Sequence, residues 1–532
     1  MEEKHKIPLT VGVTGHIDLR EQDRDTLYRA VKDELNSLRE KYPHTPVRML
    51  NSLAAGADQL CADAAEDLGI PVTAVLPMEA DEYALDFDES GAAALRRRLE
   101  RADRVFAAPA AEPAPPEENR DFRYRQAGIF IAEHSHALIA LWDGREDTSG
   151  CGTAAAVRIT LEGDWQPEAE MPVRSAENSL VIQIRTPRAK DNDGSAGEVV
   201  KLGNVQAWES MMDRTEEFNR LAEQADPAGD PLLPEDAARD PAMEQMEGLY
   251  HTADALSISF ARMYRKALAR LALAGTALTM TFLMYDDAEL KPMILASGAA
   301  LLLAVWLFRR TNRTACHRRF IEYRMLAEAF RVQVFLRYAG SRIEAQRLMA
   351  WTEQVETPWI LCAVCGANAA PPPEKQENIL ERWVNGQRDY HREAGRKTAA
   401  KEKRKDRILG IAMRISMLVY LAALVYELLF GGLLLKPVAV LQNPETVRTI
   451  LKIVLGTVSA GTLFMAGFYG KMSLGRVTAD HEKMVGLYEK AADRIARRGQ
   501  DEQILETLAR EELTENGNWS SYQRDNAPEL NV

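Results

Sequence analysis

Four apolar stretches in the second half of the chain constrain its fold more than any other feature. Leu268–Tyr285 is apolar apart from Arg270 near its start, Met293–Phe308 and Ile453–Tyr469 carry no charge, and Ser416–Leu435 carries only Glu427. A helix needs about 20 residues to cross the hydrocarbon core of a bilayer, so the shorter stretches rely on flanking side chains that reach to the interface. Four buried core helices are the alternative, and the flanks decide against it. Arg262, Arg265, Lys266 and Arg270 open the first stretch, and Arg309, Arg310 and Arg313 follow the second. Lys401, Lys403, Arg404, Lys405 and Arg407 precede the third, and Lys471 and Arg476 follow the fourth. The connection "DDAELK" is acidic on balance and "KPVAVLQNPETVRT" is nearly balanced. Positive charge gathered at one end of each pair is the pattern of two helical hairpins whose long flanking segments stay in the cytoplasm. At a membrane edge, "KEKRKDR" reads as a topological signal rather than as a nucleic-acid patch.

The rest of the chain has a different character. With 532 residues, 46% hydrophobic and 27% charged, it holds more than one domain and is neither disordered nor made wholly of spans. A formal charge of −13 argues against nucleic acid as a general partner. "MEEKHKIP" is no basic-then-apolar leader, so both termini are expected in the cytoplasm. The five cysteines are odd in number and sparse, which fits a reducing compartment.

In the first half, strand and helix signals alternate. "VGVTG", "VRMLNSLA", "PVTAVLP", "HALIALWDG" and "SLVIQIRTP" read as strands, and "GADQLCADAAEDLG", "RYRQAGIFIAEHS" and "CGTAAAVRITLEG" as helices. The expected fold class is α/β, a Rossmann-like doubly wound, mostly parallel sheet, followed by an all-α membrane domain with four transmembrane helices in two hairpins. Ligands of such sheets bind off the carboxyl ends of the strands. Three glycine-bearing turns fall there: Gly12, Thr14, Gly15 and His16 in "GVTGH"; Ser52, Ala54, Gly56, Ala57 and Asp58 in "SLAAGAD"; Gly150, Gly152 and Thr153 in "GCGT". Glycine lets a ligand approach the backbone, and a helix N-terminus offers free N–H groups to phosphate. A nucleotide-like ligand is expected on these residues and on Pro77 at the end of the third strand.

Several side chains keep two readings. His16 either contacts the ligand or caps the helix and its own backbone. Asp143 in "LWDG" either accepts from a ribose or base or holds its turn. Arg123 and Arg125 either reach a phosphate or lie solvated. His134 and His136 in "EHSH" lack a partner cluster for a metal, and Cys362 and Cys365 in "CAVC" have no second pair and read as small buried residues. Glu427 either lines a pore or pairs with an Arg or hydroxyl on a neighbouring helix. Gly456 and Gly461, each four from a small residue, allow close helix packing within one chain or between subunits. Helices of apolar period three and four, with Phe320, Tyr323, Ala327, Phe330 and Val334 in one and Met484, Leu487, Ala491 and Ile495 in the other, follow the hairpins and are read as amphipathic.

The order "VGVTGH … LAAGADQLCADAA … VTAVLPMEADEYALDF … ALIALWDG … GCGTAAAV" resembles the SLOG superfamily, the Rossmann-like group of DprA-type and LOG-type proteins, over roughly residues 7–215. "EYRMLAEAFRVQ", "WVNGQRDYH" and "LAREELTENGNW" resemble parts of SLATT-type two-span effector domains. The combination implies a nucleotide-sensing effector of bacterial anti-phage defence in the inner membrane, a homo-oligomer that takes a nucleotide-derived second messenger as ligand and no cofactor. LOG enzymes carry PGGxGTxxE, whose Glu supports cleavage of a nucleoside monophosphate. Here that position is Ala156, and the proline and first glycine are Ser149 and Gly150. Binding without catalysis is therefore expected; a membrane-anchored phosphoribohydrolase and a ligand-free scaffold are the alternatives. The expected organisation is a nucleotide-binding domain over 1–222, a Pro/Asp/Ala-rich linker over 223–245, a first hairpin with its cytosolic helix over 246–345, a helical connector over 346–404, a second hairpin with its helix over 405–500, and a tail over 501–532.

Overall fold

The computed structural model describes residues 3–109, 120–146, 151–162, 178–190, 194–227, 229–234, 237, 239–371, 377–429 and 444–525. The chain packs as two units. The first gathers Met1–Leu256, Glu322–Ile379 and Gln500–Gly517; the second gathers Ser257–Ile321, Leu380–Gly499 and Asn518–Val532.

The first unit is built on seven strands: β1 (Leu9–Gly15), β2 (Val47–Asn51), β3 (Val72–Leu76), β4 (Arg104–Ala107), β5 (Ala137–Trp142), β6 (Leu180–Arg185) and β7 (Val199–Gly203). Their order is β4-β3-β2-β1-β5-β6-β7, parallel except for β7, which pairs antiparallel with β6. This is the doubly wound, mostly parallel sheet expected from the alternating signals. The helices of this half are α1 (Arg24–Lys41), α2 (Ala57–Asp67), α3 (Ala80–Tyr83), α4 (Glu89–Arg101), α5 (Arg120–His134), α6 (Thr153–Glu162) and α7 (Val205–Ala222). One face of the sheet takes α5 and α6, where Leu50, Leu138, Ala140 and Val181 pack with Ala127, Phe130, Ile131 and Ala156. Because side chains alternate along a strand, Gly12 and Gly15 look to opposite faces. A Cβ at Gly12 would collide with Ser135 and Ile131 of the α5 side, and one at Gly15 with Ala57 of α2. The short strand β4 and the antiparallel β7 were not among the strands read from the sequence; both are edge-side strands with few fully buried positions.

The later helices are α8 (Pro241–Asp286), α9 (Met293–Thr314), α10 (Cys316–Tyr338), α11 (Ala345–Leu348), α12 (Trp351–Glu356), α13 (Pro358–Ala367), α14 (Gly386–Leu429), α15 (Pro444–Gly470), α16 (Leu474–Arg498) and α17 (Glu502–Asp525). Within the first unit, α7, the start of α8 and α13 lie at the amino ends of the strands. Asn219 of α7 accepts from Ile7 N (2.8 Å) and donates to Ile7 O (2.9 Å) just before β1. Glu216 takes His44 N and Thr45 Oγ1 before β2, and Trp208 donates to His136 O before β5. The helix α13 is buried throughout, with Cys362 and Cys365 in its apolar surface.

The amphipathic reading of α10 is corrected by the structure. From Glu322 to Ala339 nearly every side chain is buried, polar ones included, because α10 runs through the interior of the first unit. Its charges are matched inside. Arg331 pairs with Glu328 on its own helix and with Glu512 of α17 (3.0 Å), and Arg337 pairs with Asp240 (2.6 Å). The helix α16 does keep one buried stripe, of Met484, Tyr488, Ala491 and Ile495; Leu487 lies half-buried beside it.

In the second unit, α8 and α15 run antiparallel. Lys452 reaches Asp287 (3.1 Å), while Gly456 sits against Leu283, Gly461 against Thr276 and Gly275 against Phe464. Large apolar side chains face outward here, Leu273 on α8 and Leu463 on α15 at 72% exposure and Leu295 on α9 at 78%. Such a surface is costly in water and matched in hydrocarbon. Among the described residues four helices are long and apolar enough to cross a membrane, which fits a multi-pass membrane protein.

The buried triad makes a direct test of the first unit. Arg331→Met removes the cation between the buried Glu328 and Glu512, leaving Arg324 3.7 Å from Glu328, and is expected to cost about 3–5 kcal/mol. Adding Glu328→Gln and Glu512→Gln should recover most of it, read as melting temperature of the detergent-solubilised chain.

Candidate functional site

Strand order reverses direction between β1 and β5, and in open parallel sheets the crevice outside the carboxyl ends at such a point is where ligands sit. The residues there are His16 after β1 and Asp143 after β5. His16 N donates to Leu141 O (3.1 Å), and its own carbonyl accepts from Ala57 N (3.0 Å). Its ring Nε2 accepts from Asp143 N (3.1 Å) and lies 3.3 Å from Asp143 Oδ1, while Nδ1 is 3.5 Å from an Arg188 guanidinium nitrogen. Burial lowers the His16 pKa, and the Asp143 carboxylate opposes that only in part, so the ring is neutral at pH 7. Asp143 Oδ1 also accepts from Arg145 N (3.0 Å), which holds the turn. Asp143 thus holds its own turn, while the His16 ring meets the Asp143 backbone and Arg188 rather than its own backbone.

Sequence reasoning passed over Arg188, Asp18 and Ile17. Arg188 Nε lies 3.7 Å from Asp18 Oδ1, and Ala189 N donates to Asp18 O (2.8 Å), so the segment after β6 is fastened to the segment after β1. The arginine in "IRTPR", just beyond the last core strand, was the available signal. Ile17 is 68% exposed at this edge, an apolar side chain presented beside polar ones.

The second turn is closed on itself. Leu53 N donates to Asn51 Oδ1 (2.7 Å), Asn51 Nδ2 to Asp58 O (2.8 Å), and Ala54 N to Asp58 Oδ2 (3.4 Å). Leu53 is held at φ 57, a left-handed conformation that strains a non-glycine residue. Gly56, at φ +79, lies under the carbonyls of His16 and Ile17, where any Cβ would collide. The first amide of α2 is therefore engaged by His16 rather than open to an anion. Ser52 is half-buried, and Pro77 is buried just past β3.

The third turn differs. Gly152, at φ +87, opens α6, and a Cβ there would meet nothing within 4 Å. Thr153 begins the helix and is 9% exposed. Gly150 lies outside the described residues. Ala156, at the position of the LOG glutamate, packs into the sheet-facing core. Arg125 lies half-buried in the first half of α5.

The remaining sequence candidates find local partners. His136 Nδ1 accepts from Thr10 N (3.1 Å). His134 Nδ1 bonds Phe130 O (2.9 Å) and its Nε2 meets Glu344 (3.1 Å), a pairing that raises the His134 pKa against its burial and holds Glu344 down at about 2. Among the described residues no group of three or more His, Cys, Asp or Glu is placed to hold a metal ion. Glu427 forms a two-pronged pair with Arg448 at 2.5 Å. The described chain from Ile408 through the third apolar stretch to Leu429 carries only Arg414 and Glu427 as charges, and residues 430–435 of that stretch lie outside the described residues. Gly456 and Gly461 serve packing within the chain, against α8. The chain matches no family model and no curated protein.

Asp58 supplies a test of the strand-end turns. Burial pushes its carboxyl up to about 7, and the Ala54 amide counters this only weakly. A folded-state pKa above the unfolded value of about 3.9 makes the folded state the better proton binder between the two. Its stabilising contribution is complete below the unfolded value and is lost as pH rises toward 7. Asp58→Asn should flatten the melting profile between pH 4 and 7 and raise stability at pH 8, by at most about 4 kcal/mol at ~1.4 kcal/mol per unit. An unchanged pH slope would rule this out.

Proposed function

We propose that this chain is a membrane effector that senses a nucleotide-derived signal. The α/β half takes the ligand at the carboxyl edge of β1 and β5, and the four apolar helices respond by opening a pore or disrupting the membrane. One observation carries the reading: α6 starts at the switch point of a doubly wound sheet on a glycine that faces open space, in a chain that also has four apolar helices. The amides of that helix start favour a phosphate. Arg188 adds positive charge and Ile17 an apolar contact for a base or ribose. The likeness to SLOG and SLATT domains supports the same reading, and with it a homo-oligomer in the bacterial inner membrane, termini in the cytoplasm, acting in anti-phage defence. Ala156, lying in the core, supports sensing rather than hydrolysis.

A ligand can drive such a response only by binding two arrangements with different affinity. The continuous helix α8 supports a route, since its first turns meet the amino edge of the sheet, where His5 Nδ1 lies 3.3 Å from Gly248 O, and its later turns are the first apolar stretch.

Small molecules released by heat from the purified full chain, identified by mass spectrometry and then titrated back, test the reading. Thr153→Asp keeps a helix-starting side chain but sets a negative charge where the phosphate is placed, and should weaken nucleotide binding by about tenfold or more. Gly15 is a poor control position, because any side chain there meets Ala57. Equal binding by wild type and Thr153→Asp would overturn the placement, and free base released from a nucleotide would favour the hydrolase.

A further inference from the structure

From Ala255 to Tyr285 and from Met293 to Ile321 the chain contains no Asp or Glu, although its net charge is −13. Into these two segments fall Arg262, Arg265 and Lys266 on α8 and Arg309, Arg310 and Arg313 on α9. None of the six has a carboxylate partner among the described residues. Arg265 Nε turns back to Ala261 O (3.2 Å), and the Arg310 guanidinium lies 5.2 Å from the centre of the Trp306 ring. Elsewhere in the second unit cations sit beside acids: Lys405 with Asp406 (3.1 Å), Arg392 with Glu489 (2.9 Å), Lys452 with Asp287 (3.1 Å).

The six cations fall in one band, whose edges are Arg309, ~24 Å along α9 from Met293, and Arg262, ~36 Å along α8 from Asp286. At about 1.5 Å per residue, Arg265 lies ~31 Å along α8 from Asp286, and Arg313 lies ~30 Å along α9 from Met293. Contacts confirm the register: the rings of Tyr264 and His317 are 4.5 Å apart, and Ser257 Oγ donates to Phe320 O (3.2 Å). A hydrocarbon core about 30 Å thick, with the Asp286–Lys291 turn at one surface, brings the six cations to the other. Trp306, 53% exposed, lies just inside them, as an interfacial aromatic does.

We infer that this acid-free collar of the first hairpin binds the headgroups of anionic phospholipids. The guanidinium groups of Arg309, Arg310 and Arg313 take phosphodiester oxygens, for which their forked donors are suited. The acyl chains lie along the exposed apolar faces of α8 and α9, Leu273 and Leu295 among them. Continuity of the collar with those faces favours a lipid over a soluble polyanion. The inference rests on the reading of α8 and α9 as membrane-spanning.

The test is native mass spectrometry of the full chain in mild detergent with added phosphatidylglycerol or phosphatidylcholine. The wild type should retain phosphatidylglycerol in preference. Arg309→Gln, Arg310→Gln and Arg313→Gln combined should lower that retention more than about tenfold, while lysine at the same three positions keeps much of it. Lys401→Gln, Lys403→Gln and Arg404→Gln, in the acid-interleaved run, should have little effect. Equal retention of the two lipids, or a glutamine triple variant that behaves as wild type, overturns the inference. So does displacement of the lipid by an oligonucleotide at equal phosphate concentration. A chain that stays soluble when detergent is removed would instead show that the spanning reading itself fails.

Discussion

The parallel sheet of the first unit starts on side chains, and the rest of the unit depends on that. A parallel strand begins with backbone groups that its neighbours do not fully satisfy, and buried amides cannot be left unpaired. Asn219, buried on α7, meets this need for β1 by accepting from Ile7 N and donating to Ile7 O, and its Nδ2 also reaches Thr45 Oγ1 (3.0 Å) before β2. Trp208 does the same for the residue preceding β5. Residues more than two hundred positions apart are thereby required for the first strand to seat. The helical part of the unit thus supplies partners that the strand starts lack among themselves.

The helical part of the unit also buries charge. Arg331, Glu328 and Glu512 meet without solvent, and His134, Glu133, Glu344 and Arg347 form a second such group, with Arg347 bonded to both acids (2.9 and 3.1 Å). Buried ion pairs add little net stability, since desolvation offsets their attraction, but a wrong pairing leaves a bare charge. In a layer of several helices with similar apolar surfaces, that penalty selects one register. Glu133 shows the balance: burial raises its pKa and Arg347 pulls it back.

Much of the α/β order was legible because buried parallel strands are continuous apolar runs, and the five strands read from the sequence are the five with buried interiors. The apolar helices were legible for the same reason. What the local pattern did not carry was the partner of each polar residue. The spacing of Phe320, Tyr323, Ala327, Phe330 and Val334 is that of a half-buried helix, yet α10 is covered on every side, because Glu328, Arg331 and Arg337 find their counterparts in distant segments. The glycines were ambiguous for a related reason. Gly12 and Gly15 look like a phosphate turn, and the close approach of α5 and α2 is what excludes a side chain there. Sequence records that space is tight, not what fills it.

The same contrast separates the two edges of the sheet. At the amino edge, strand ends are bonded to helices by buried side chains. At the carboxyl edge, loops are bonded to loops: Asp18 to Ala189, His16 to Asp143, Arg20 to Gly194 (2.9 Å). Segments held by partly exposed bonds open at lower free energy than segments held in a core. The left-handed backbone of Leu53 and the buried His16 lie on that edge as well. The two edges thus differ in kind: side chains of α7 and the start of α8 fasten the amino ends of the strands, while at the carboxyl ends of β1, β5 and β6 the described turns fasten one another.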